Sequence, residues 1–272
     1  MTTIAFIGAG NMAGAIIGGL VENGFDKTKL WASDPSQEKI NELTSSLGIQ
    51  GTTDNASAIK QADVVILAIK PQVMEAVLSP IKDALQEKQP LIISVAAGIN
   101  LNSISNWTGG NLAIVRCMPN TPALVQQGAS GLFANELVSD SQKAISEQIL
   151  NAVGISVWVD EESQLDAVTA VSGSGPAYFF LFMEAMVEAG KKLGLSEETA
   201  KELTLKTALG AATMASQSSD SPAQLRKKVT SPNGTTEKAI NSFIDQDLSQ
   251  MVETALKAAN DRSVELSKEL GA

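Results

Sequence analysis

The sequence contains no histidine and a single cysteine, Cys117. Without histidine, the chain cannot build a catalytic triad or a metal site that depends on imidazole. With only one cysteine as well, it cannot assemble a zinc site of the usual kind. No intramolecular disulfide can form, which is typical of proteins from a reducing compartment. We therefore expect a cytoplasmic protein without a metal centre.

Basic side chains are also scarce. The chain has 20 basic and 30 acidic residues, for a net charge of -10, which argues against nucleic acid or an anionic membrane surface as a partner. Tyr178 is the only tyrosine, and Arg116, Arg226 and Arg262 are the only arginines. A proton donor must therefore be Tyr178, Cys117, a lysine, a carboxyl group, a hydroxyl group or water. An anionic ligand would have to be met by backbone dipoles or a few side chains.

Long hydrophobic runs are missing as well. The longest one worth testing, residues 177–183, ends at Glu184 and is far too short to span a bilayer. Met1 leads through Thr2 and Thr3 into a strand-like segment, so we expect no signal peptide. The 272 residues, 44% hydrophobic and 18% charged, are typical of a globular protein with one large or two ordinary domains.

Short β-branched runs alternate with helical stretches over the first half of the chain. Several runs are continuously apolar, which is typical of parallel strands covered on both faces. The alternation predicts an α/β fold with a doubly wound sheet. We expect strands at residues 4–7, 29–33, 64–69, 91–95, 112–115, 129–134 and 155–160, with a helix beginning near Ser139.

Strand signals stop after about residue 163. Helical patterns follow at residues 176–193, 196–217 and 246–270. We therefore expect two domains, residues 1–163 with the sheet and an all-helical domain of residues 164–272. The helix after Tyr178 is apolar nearly all round its first two turns. Such side chains must be buried, either in the core or against a second copy of the chain.

The first predicted strand leads directly into a glycine-rich turn and then a helix. Gly8, Gly10 and Ala13 match the pattern G-x-G-x-x-A. Gly8 would make the tight turn, Gly10 would let a pyrophosphate approach the backbone, and Ala13 would let the helix pack on the strand. The start of the helix would offer free N–H groups and a positive dipole to the phosphates. At this position in an alternating chain, the motif predicts a Rossmann domain that binds a dinucleotide.

The second predicted strand ends in Ser33 and Asp34, where the adenosine ribose is expected. An acidic residue there typically binds the ribose 2′-hydroxyl of NAD, whereas a 2′-phosphate usually calls for arginine. No arginine lies near in sequence, which favours NADH. However, Asp34 followed by Pro35 also fits the N-cap of a helix, and the choice of cofactor then stays open.

Three further loops combine small, hydroxyl and proline residues, and each allows a structural and a functional interpretation. Residues 118–122 follow a buried strand and would form either a stiff structural turn or a loop that binds a ligand at the sheet edge. Residues 172–176 would be a linker or a close approach of backbone to ligand. Residues 229–236 precede a helical stretch. They would form either an ordinary helix cap or a site that binds a carboxylate through backbone N–H and side-chain O–H donors, without an arginine.

Six segments stand out together: Phe6-Ile7-Gly8-Ala9-Gly10-Asn11-Met12, Ile69-Lys70-Pro71-Gln72, Ala96-Ala97-Gly98, Arg116-Cys117-Met118-Pro119-Asn120-Thr121-Pro122, Ser172-Gly173-Ser174-Gly175-Pro176-Ala177-Tyr178 and residues 229–236. The first is common to many reductases, whereas the last three in this order are highly specific. With these segments, essentially the whole chain resembles the pyrroline-5-carboxylate reductase family, whose members make proline.

The resemblance implies a Rossmann domain followed by a helical domain for dimerisation and substrate binding. It implies reduction of the cyclic imine 1-pyrroline-5-carboxylate to L-proline, the final step of proline biosynthesis, with NADPH or alternatively NADH. The positions that match the family's cofactor contacts are Gly8, Ala9, Gly10, Asn11, Met12, Ser33, Asp34, Asn55, Ala68, Ile69, Lys70, Pro71, Ala97, Met118, Pro119 and Asn120. Asp34 departs from the neutral or basic residue that NADPH-preferring relatives often carry, so the choice between NADPH and NADH stays open.

By the same resemblance, the substrate carboxylate is bound by Ser231, Gly234, Thr235 and Thr236. The Thr236 hydroxyl would lie near the ring nitrogen, as the catalytic residue. Family members are dimers with interleaved helical domains, often assembled into rings of dimers. The resemblance therefore implies a homodimer or a larger ring, in which a partner covers the apolar helix after Tyr178.

The residue inventory agrees with an imine as the substrate. Reduction of a ketone needs a committed proton donor, commonly His, Lys or Tyr, whereas a cyclic imine can enter as an iminium that accepts hydride without further acid. A 3-hydroxyacid dehydrogenase is one alternative and would need a catalytic lysine, for which Lys191 and Lys192 are candidates, although they fit better as a solvated helix end. A non-catalytic NAD(P)-binding regulator is the other, but it would not need the hydroxyl-rich residues 231–236.

Overall fold

The central feature of the computed structural model, which describes residues 2–271, is one eight-stranded sheet with the order β3-β2-β1-β4-β5-β6-β7-β8. The first six strands are parallel, β7 runs antiparallel to β6, and β8 is parallel to β7. The strands are β1 Ile4–Ile7, β2 Leu30–Ser33, β3 Gln50–Thr52, β4 Val64–Leu67, β5 Leu91–Ser94, β6 Ile114–Met118, β7 Gly128–Ala134 and β8 Gly154–Trp158. This order is that of the doubly wound Rossmann fold, as the sequence predicts.

All seven predicted strands are present, with ends that differ by up to three residues. The eighth, β3, is missing from the prediction. Its sequence, Gln-Gly-Thr, is short and polar and carries no apolar pattern, and its residues are exposed or half-buried. It forms because its backbone pairs with β2 at the sheet edge.

Six helices flank these strands and bury both faces of the sheet. They are α1 Asn11–Glu22, α2 Gln37–Leu47, α3 Asn55–Gln61, α4 Met74–Lys88, α5 Leu101–Thr108 and α6 Asp140–Asn151. Alternate residues of β1 show the division: Ile4 and Phe6 belong to one buried cluster with residues of α1, α2 and α6, whereas Ala5 and Ile7 belong to another with residues of α3, α4 and α5. Ser139 caps α6, which confirms the predicted helix start.

After β8, α7 Gln164–Val168 leads into one π-helical turn, Thr169–Gly173. The remaining helices are α8 Gly175–Lys192, α9 Glu197–Gln217, α10 Pro222–Lys228, α11 Thr235–Asp245 and α12 Leu248–Leu270. The all-helical second half is thus confirmed. Across residues 2–271, no helix is both long and apolar enough to cross a membrane.

The chain divides into two compact units. The first contains the residues up to Ser174 together with those from Ala258 onward, and the second contains residues 175–257. The last turns of α12 therefore belong to the first unit, where Ser263 donates to Asp166 Oδ1 at 2.6 Å and the Ser103 hydroxyl donates to the Gly271 carbonyl at 2.7 Å. The predicted division of the domains at residue 163 stays a prediction.

The start of α8 exposes large apolar side chains in the single chain. Phe179, Phe180 and Leu181 are each about two-thirds exposed, and Phe182, whose ring lies 6.1 Å from that of Phe243, is about half exposed. Burial in the chain's own core, one of the two interpretations of this helix, is therefore wrong for these residues. Covering by a second copy remains as the alternative.

Alanine substitutions at two adjacent glycines of α1 would test how closely this helix packs against the end of α6. A Cβ on Gly18 would meet no atom within 4 Å, whereas a Cβ on Gly19 would lie 2.5 Å from the Ala152 carbonyl oxygen. We expect Gly18→Ala to raise the free energy of unfolding by about 0.5–1 kcal/mol, because alanine has the better helix propensity. Gly19→Ala should lower it by about 1–3 kcal/mol through overpacking. Urea titrations followed by circular dichroism measure both, and shifts in the same direction would contradict the packing.

Candidate functional site

The predicted cofactor residues lie at the carboxyl ends of the parallel strands. Residues 8–12 follow β1, Ser33 and Asp34 end and follow β2, Asn55 begins α3 after β3, and residues 68–71 follow β4. Ala97 comes after β5, and residues 118–120 end and follow β6. Because these strands are parallel neighbours, their carboxyl ends meet at one sheet edge. The structure therefore brings the whole predicted set to that edge, while its role in binding stays a prediction.

In the glycine turn after β1, one glycine has no space for a side chain and the other faces open space. Gly8 has φ +101°, its N–H donates to the Ser33 carbonyl at 2.7 Å, and a Cβ on it would lie 2.5 Å from the Ala68 carbonyl oxygen. Only glycine fits there. Gly10, by contrast, is exposed, and a Cβ on it would meet no atom within 4 Å. Gly10 is the N-cap of α1, whose first turn carries no acidic residue, so this position fits the approach of a phosphate.

Asp34 is not the N-cap of α2. The helix begins at Gln37, and the Ser36 side chain accepts from the Lys39 N–H. The Asp34 carboxylate is buried and accepts from the Ala9 N–H and from the Ser36 N–H, each at 3.0 Å. It therefore ties the end of β2 to the glycine turn. Pro35 is correspondingly not the first helical residue, because the chain turns around the Asp34 side chain before the helix starts.

The charge beside the expected ribose position is mixed. Lys39 Nζ lies 3.6 Å from Asp34 Oδ2 and is largely exposed. At a ribose in this position, Asp34 would disfavour a 2′-phosphate and Lys39 would favour one. The Ser33 hydroxyl is fully buried and donates to Asn55 Oδ1 at 2.6 Å, so its side chain is committed to the protein.

The loop after β6 is joined to a distant part of the chain. Asn120 is 9% exposed; its Nδ2 donates to the Ser172 carbonyl at 3.2 Å and to the Ser172 hydroxyl at 3.1 Å, and its Oδ1 accepts from the Ala129 N–H at 2.9 Å. A cofactor contact by Asn120 would therefore use its main chain. The sequence singles out both loops but not their pairing, because 52 positions separate the two residues.

Two of the three arginines are engaged within the protein. Arg116 Nη1 lies 2.7 Å from Glu162 Oε1, which also accepts from the Leu101 N–H at 2.7 Å. Arg262 pairs with Glu265 and Glu269 on its own helix. Both guanidinium groups are thus ion-paired within the protein, Arg116 largely buried and Arg262 half exposed.

The candidate proton donors differ in their surroundings. Complete burial of the Cys117 thiol raises its pKa to about 12, against the smaller opposing effect of a hydrogen bond with Ser130. A thiol of this kind stays protonated and cannot relay protons near neutral pH. The Tyr178 hydroxyl is buried and makes no hydrogen bond to any of the described residues.

The predicted substrate residues lie around the start of α11. Gly234 is the N-cap, its N–H donates to the Ser231 carbonyl at 3.1 Å, and the Asn233 N–H donates to Glu237 Oε2 at 2.8 Å with φ +60° at Asn233. Ser231, Thr235 and Thr236 are exposed, and the structure records no hydrogen bond from their side chains within residues 2–271. These hydroxyls and the free amides of the first turn are thus available to a ligand, although their role stays a prediction.

Thiol labelling tests the surroundings of Cys117. At about pH 8, iodoacetamide should alkylate the folded protein far more slowly than the urea-unfolded protein, whose thiol has an ordinary pKa. Mass spectrometry of timed samples measures the difference. Rapid stoichiometric labelling of the folded protein would contradict the buried, protonated thiol.

Comparisons with known proteins agree with this architecture. Residues 162–266 match the pyrroline-5-carboxylate reductase dimerisation family, and residues 3–98 match the NADP oxidoreductase coenzyme F420-dependent family. A pyrroline-5-carboxylate reductase of Pseudomonas aeruginosa is 56% identical over 98% of both chains. The solved reductase of Coxiella burnetii is 46% identical with a TM-score of 0.95 over 98% of both chains. That of Plasmodium falciparum, solved with NADP bound, is 31% identical with a TM-score of 0.85 over 98% of both chains. This chain therefore belongs to the pyrroline-5-carboxylate reductase family.

Proposed function

We propose that this protein reduces 1-pyrroline-5-carboxylate to L-proline with NAD(P)H as the hydride donor. The observation that carries the proposal is similarity over the full length: relatives named pyrroline-5-carboxylate reductase share 56% and 43% identity with the chain over at least 97% of its length. The match includes both the sheet edge at the carboxyl ends of the parallel strands, called the Rossmann edge below, and the helical second half. It therefore covers the regions proposed to bind cofactor and substrate.

The Rossmann edge is the proposed cofactor site. The open space at Gly10 and the amides at the start of α1 would hold the pyrophosphate. Asp34, next to Lys39, would lie at the adenosine ribose. Residues 68–71, Ala97 and residues 118–120 would line the way to the nicotinamide. The Plasmodium falciparum relative was solved with NADP bound, which supports NADPH as the donor, with NADH as the alternative.

The start of α11 is the proposed carboxylate site. Ser231, Thr235 and Thr236 offer exposed hydroxyls, and the helix adds its amides and its positive end. A helix terminus stabilises a carboxylate by about 0.3–1 kcal/mol at an exposed site, and direct hydrogen bonds add to this. Arginine is therefore not required here.

Catalysis rests mainly on positioning. Bound NAD(P)H would supply the hydride, and the protonated imine would accept it at the carbon of its C=N bond to give the secondary amine. An iminium needs no further acid at this step, which agrees with the absence of histidine and with a Cys117 thiol that stays protonated. Thr236 would orient the ring nitrogen while the carboxylate is held at α11.

The apolar start of α8 is the proposed contact with a second copy. Phe179, Phe180 and Leu181 are exposed in the single chain, and burying a large apolar side chain contributes about 1.5–3 kcal/mol. Residues 162–266 match a dimerisation family, which indicates self-association. We infer a homodimer, alone or within a larger ring of dimers, and place it in the cytoplasm because its one cysteine needs no oxidising compartment.

The hydroxyacid dehydrogenase alternative has little support from the lysines it would need. Lys191 Nζ lies 2.9 Å from Glu188 and 3.3 Å from Glu197, and the Glu188 hydrogen bond, followed by that of Glu197, raises the pKa of Lys191. Catalytic lysines that act as a base have lowered pKa values instead. The end of α8 is therefore better explained as an ion-paired helix terminus.

The substitution Gly10→Ala tests the proposed phosphate position. A Cβ at Gly10 meets open space in the protein, so the variant should fold, with the unfolding midpoint lowered only slightly because alanine is a poorer N-cap than glycine. The added methyl group would block the pyrophosphate, so the Kd for NADPH should rise about tenfold or more, equivalent to roughly 1.4 kcal/mol. Fluorescence titration with NADPH measures this change. A stable variant with wild-type affinity would remove Gly10 from the cofactor site.

Turnover of 1-pyrroline-5-carboxylate with NADPH and with NADH, at matched concentrations, tests the reaction itself. We expect rapid oxidation of at least one cofactor, and the ratio of the two rates measures the net effect of Asp34 and Lys39. Folded protein that binds NAD(P)H but shows no turnover would overturn the reductase and favour a regulator.

Thr236→Ala should lower kcat/KM about 10- to 100-fold, because the substrate loses a positioning hydroxyl. Thr236→Ser should retain most of the activity. Thr213→Ala is the matched control, since the Thr213 hydroxyl lies on α9 and donates to the Leu209 carbonyl at 2.8 Å. Full kcat and kcat/KM in Thr236→Ala would disprove the role of this residue.

A further inference from the structure

The Asn120 side chain links three segments of the first unit. Its amide nitrogen donates to the carbonyl and to the hydroxyl of Ser172, and its amide oxygen accepts from the Ala129 N–H. Ser172 completes the arrangement by donating its hydroxyl to the Ala129 carbonyl at 3.0 Å. The amide nitrogen and the amide oxygen of Asn120 are thus both used within the protein. The loop after β6, strand β7 and the π-helical turn are joined through one side chain.

A second contact joins the same two loops. The Met118 methyl group packs directly on Gly173, where even a Cβ would collide with it. Met118 and Asn120 therefore face Gly173 and Ser172 as two adjacent pairs, one apolar and one hydrogen-bonded. Two neighbouring contacts fix both the distance and the orientation of the loop after β6, which a single contact would not.

We propose that Asn120 is a positioning residue for hydride transfer, holding residues 118–120 against the π-helical turn so that the loop proposed to contact the nicotinamide keeps one conformation. This inference rests on the proposed reduction and adds to it the reason for the Asn120 side chain. The residue acts through the loop rather than by touching the reacting atoms.

The chemistry of the side chain explains why asparagine is needed. Aspartate at residue 120 would keep an acceptor for the Ala129 N–H but lose both donors to Ser172. Alanine would leave the Ala129 N–H and the Ser172 carbonyl without these partners, so the loop would shift to find others. A small displacement is enough, because hydride transfer depends steeply on the approach of donor and acceptor.

The chain offers a matched control at the opposite end of β6. Asn135 Oδ1 accepts from the Ile114 N–H at 3.1 Å, and its Nδ2 donates to the Leu112 carbonyl at 2.8 Å. Like Asn120, it bonds main-chain groups on both sides of its amide. It lies at the amino end of β6, away from the edge that carries the cofactor candidates. Asn135→Ala therefore removes comparable structural bonds without touching the loop.

The test compares Asn120→Ala and Asn135→Ala in the complete protein. Unfolding midpoint, Kd for NADPH, kcat, KM and the primary isotope effect with NADPH deuterated at the transferred position are measured for each. For Asn120→Ala we expect kcat to fall about 10- to 100-fold, with a larger isotope effect and little change in the Kd for NADPH. Asn135→Ala should lower stability while leaving kcat and the isotope effect at wild-type values.

Ser172→Ala keeps the inference testable if Asn120→Ala does not fold. It removes the Ser172 hydroxyl from both Asn120 and Ala129 but retains the carbonyl that accepts from Asn120. A smaller fall in kcat with a raised isotope effect is expected. Wild-type kcat and isotope effect in a folded Asn120 or Ser172 variant would overturn the inference, as would the same changes in Asn135→Ala. Absence of turnover in the wild type would instead overturn the proposed reaction.

Discussion

The structure depends on the close approach of the glycine turn to its two neighbouring strands. The Gly8 N–H bonds the end of β2, the Gly8 α-carbon lies against the Ala68 carbonyl at the end of β4, and the Asp34 carboxylate holds the Ala9 N–H. A buried hydrogen bond contributes about 1 kcal/mol, and more with a charged partner. These contacts set where α1 begins, and the start of α1 decides where an anion meets the protein.

Charge poses a particular problem for this chain. It carries a net charge of -10, yet the proposed cofactor and substrate are both anions. Arg116 and Arg262 are ion-paired within the protein, so their charges are already balanced there. The proposed answer is the same in both units: exposed amides at a helix start, at Gly10 for the phosphates and at Gly234 for the carboxylate. Helix dipoles act only over short distances, so the bulk negative charge need not be reversed.

The fold could be predicted in most of its parts because its strands are short apolar runs and its helices have clear starts. The parts that could not are those fixed by partners distant in sequence. Strand β3 pairs through its backbone and its sequence shows no apolar pattern. The sequence around Asp34 resembles a helix cap, but in the structure the Asp34 carboxylate accepts from the Ala9 N–H instead. Of the site, the residues at the sheet edge follow from topology, but the bond between Asn120 and Ser172 needs the folded chain.

The last helix has a consequence for how the protein is made. Leu266 and Leu270 pack against Gly98, and the Ser103 hydroxyl bonds the Gly271 carbonyl, so the final turns of α12 complete the sheet-bearing unit. During synthesis the strands leave the ribosome first, yet their unit can close only after the whole second unit has been translated. Completion of this unit therefore depends on contacts between residues far apart in sequence, 168 positions for Ser103 and Gly271, and closing such long loops slows folding.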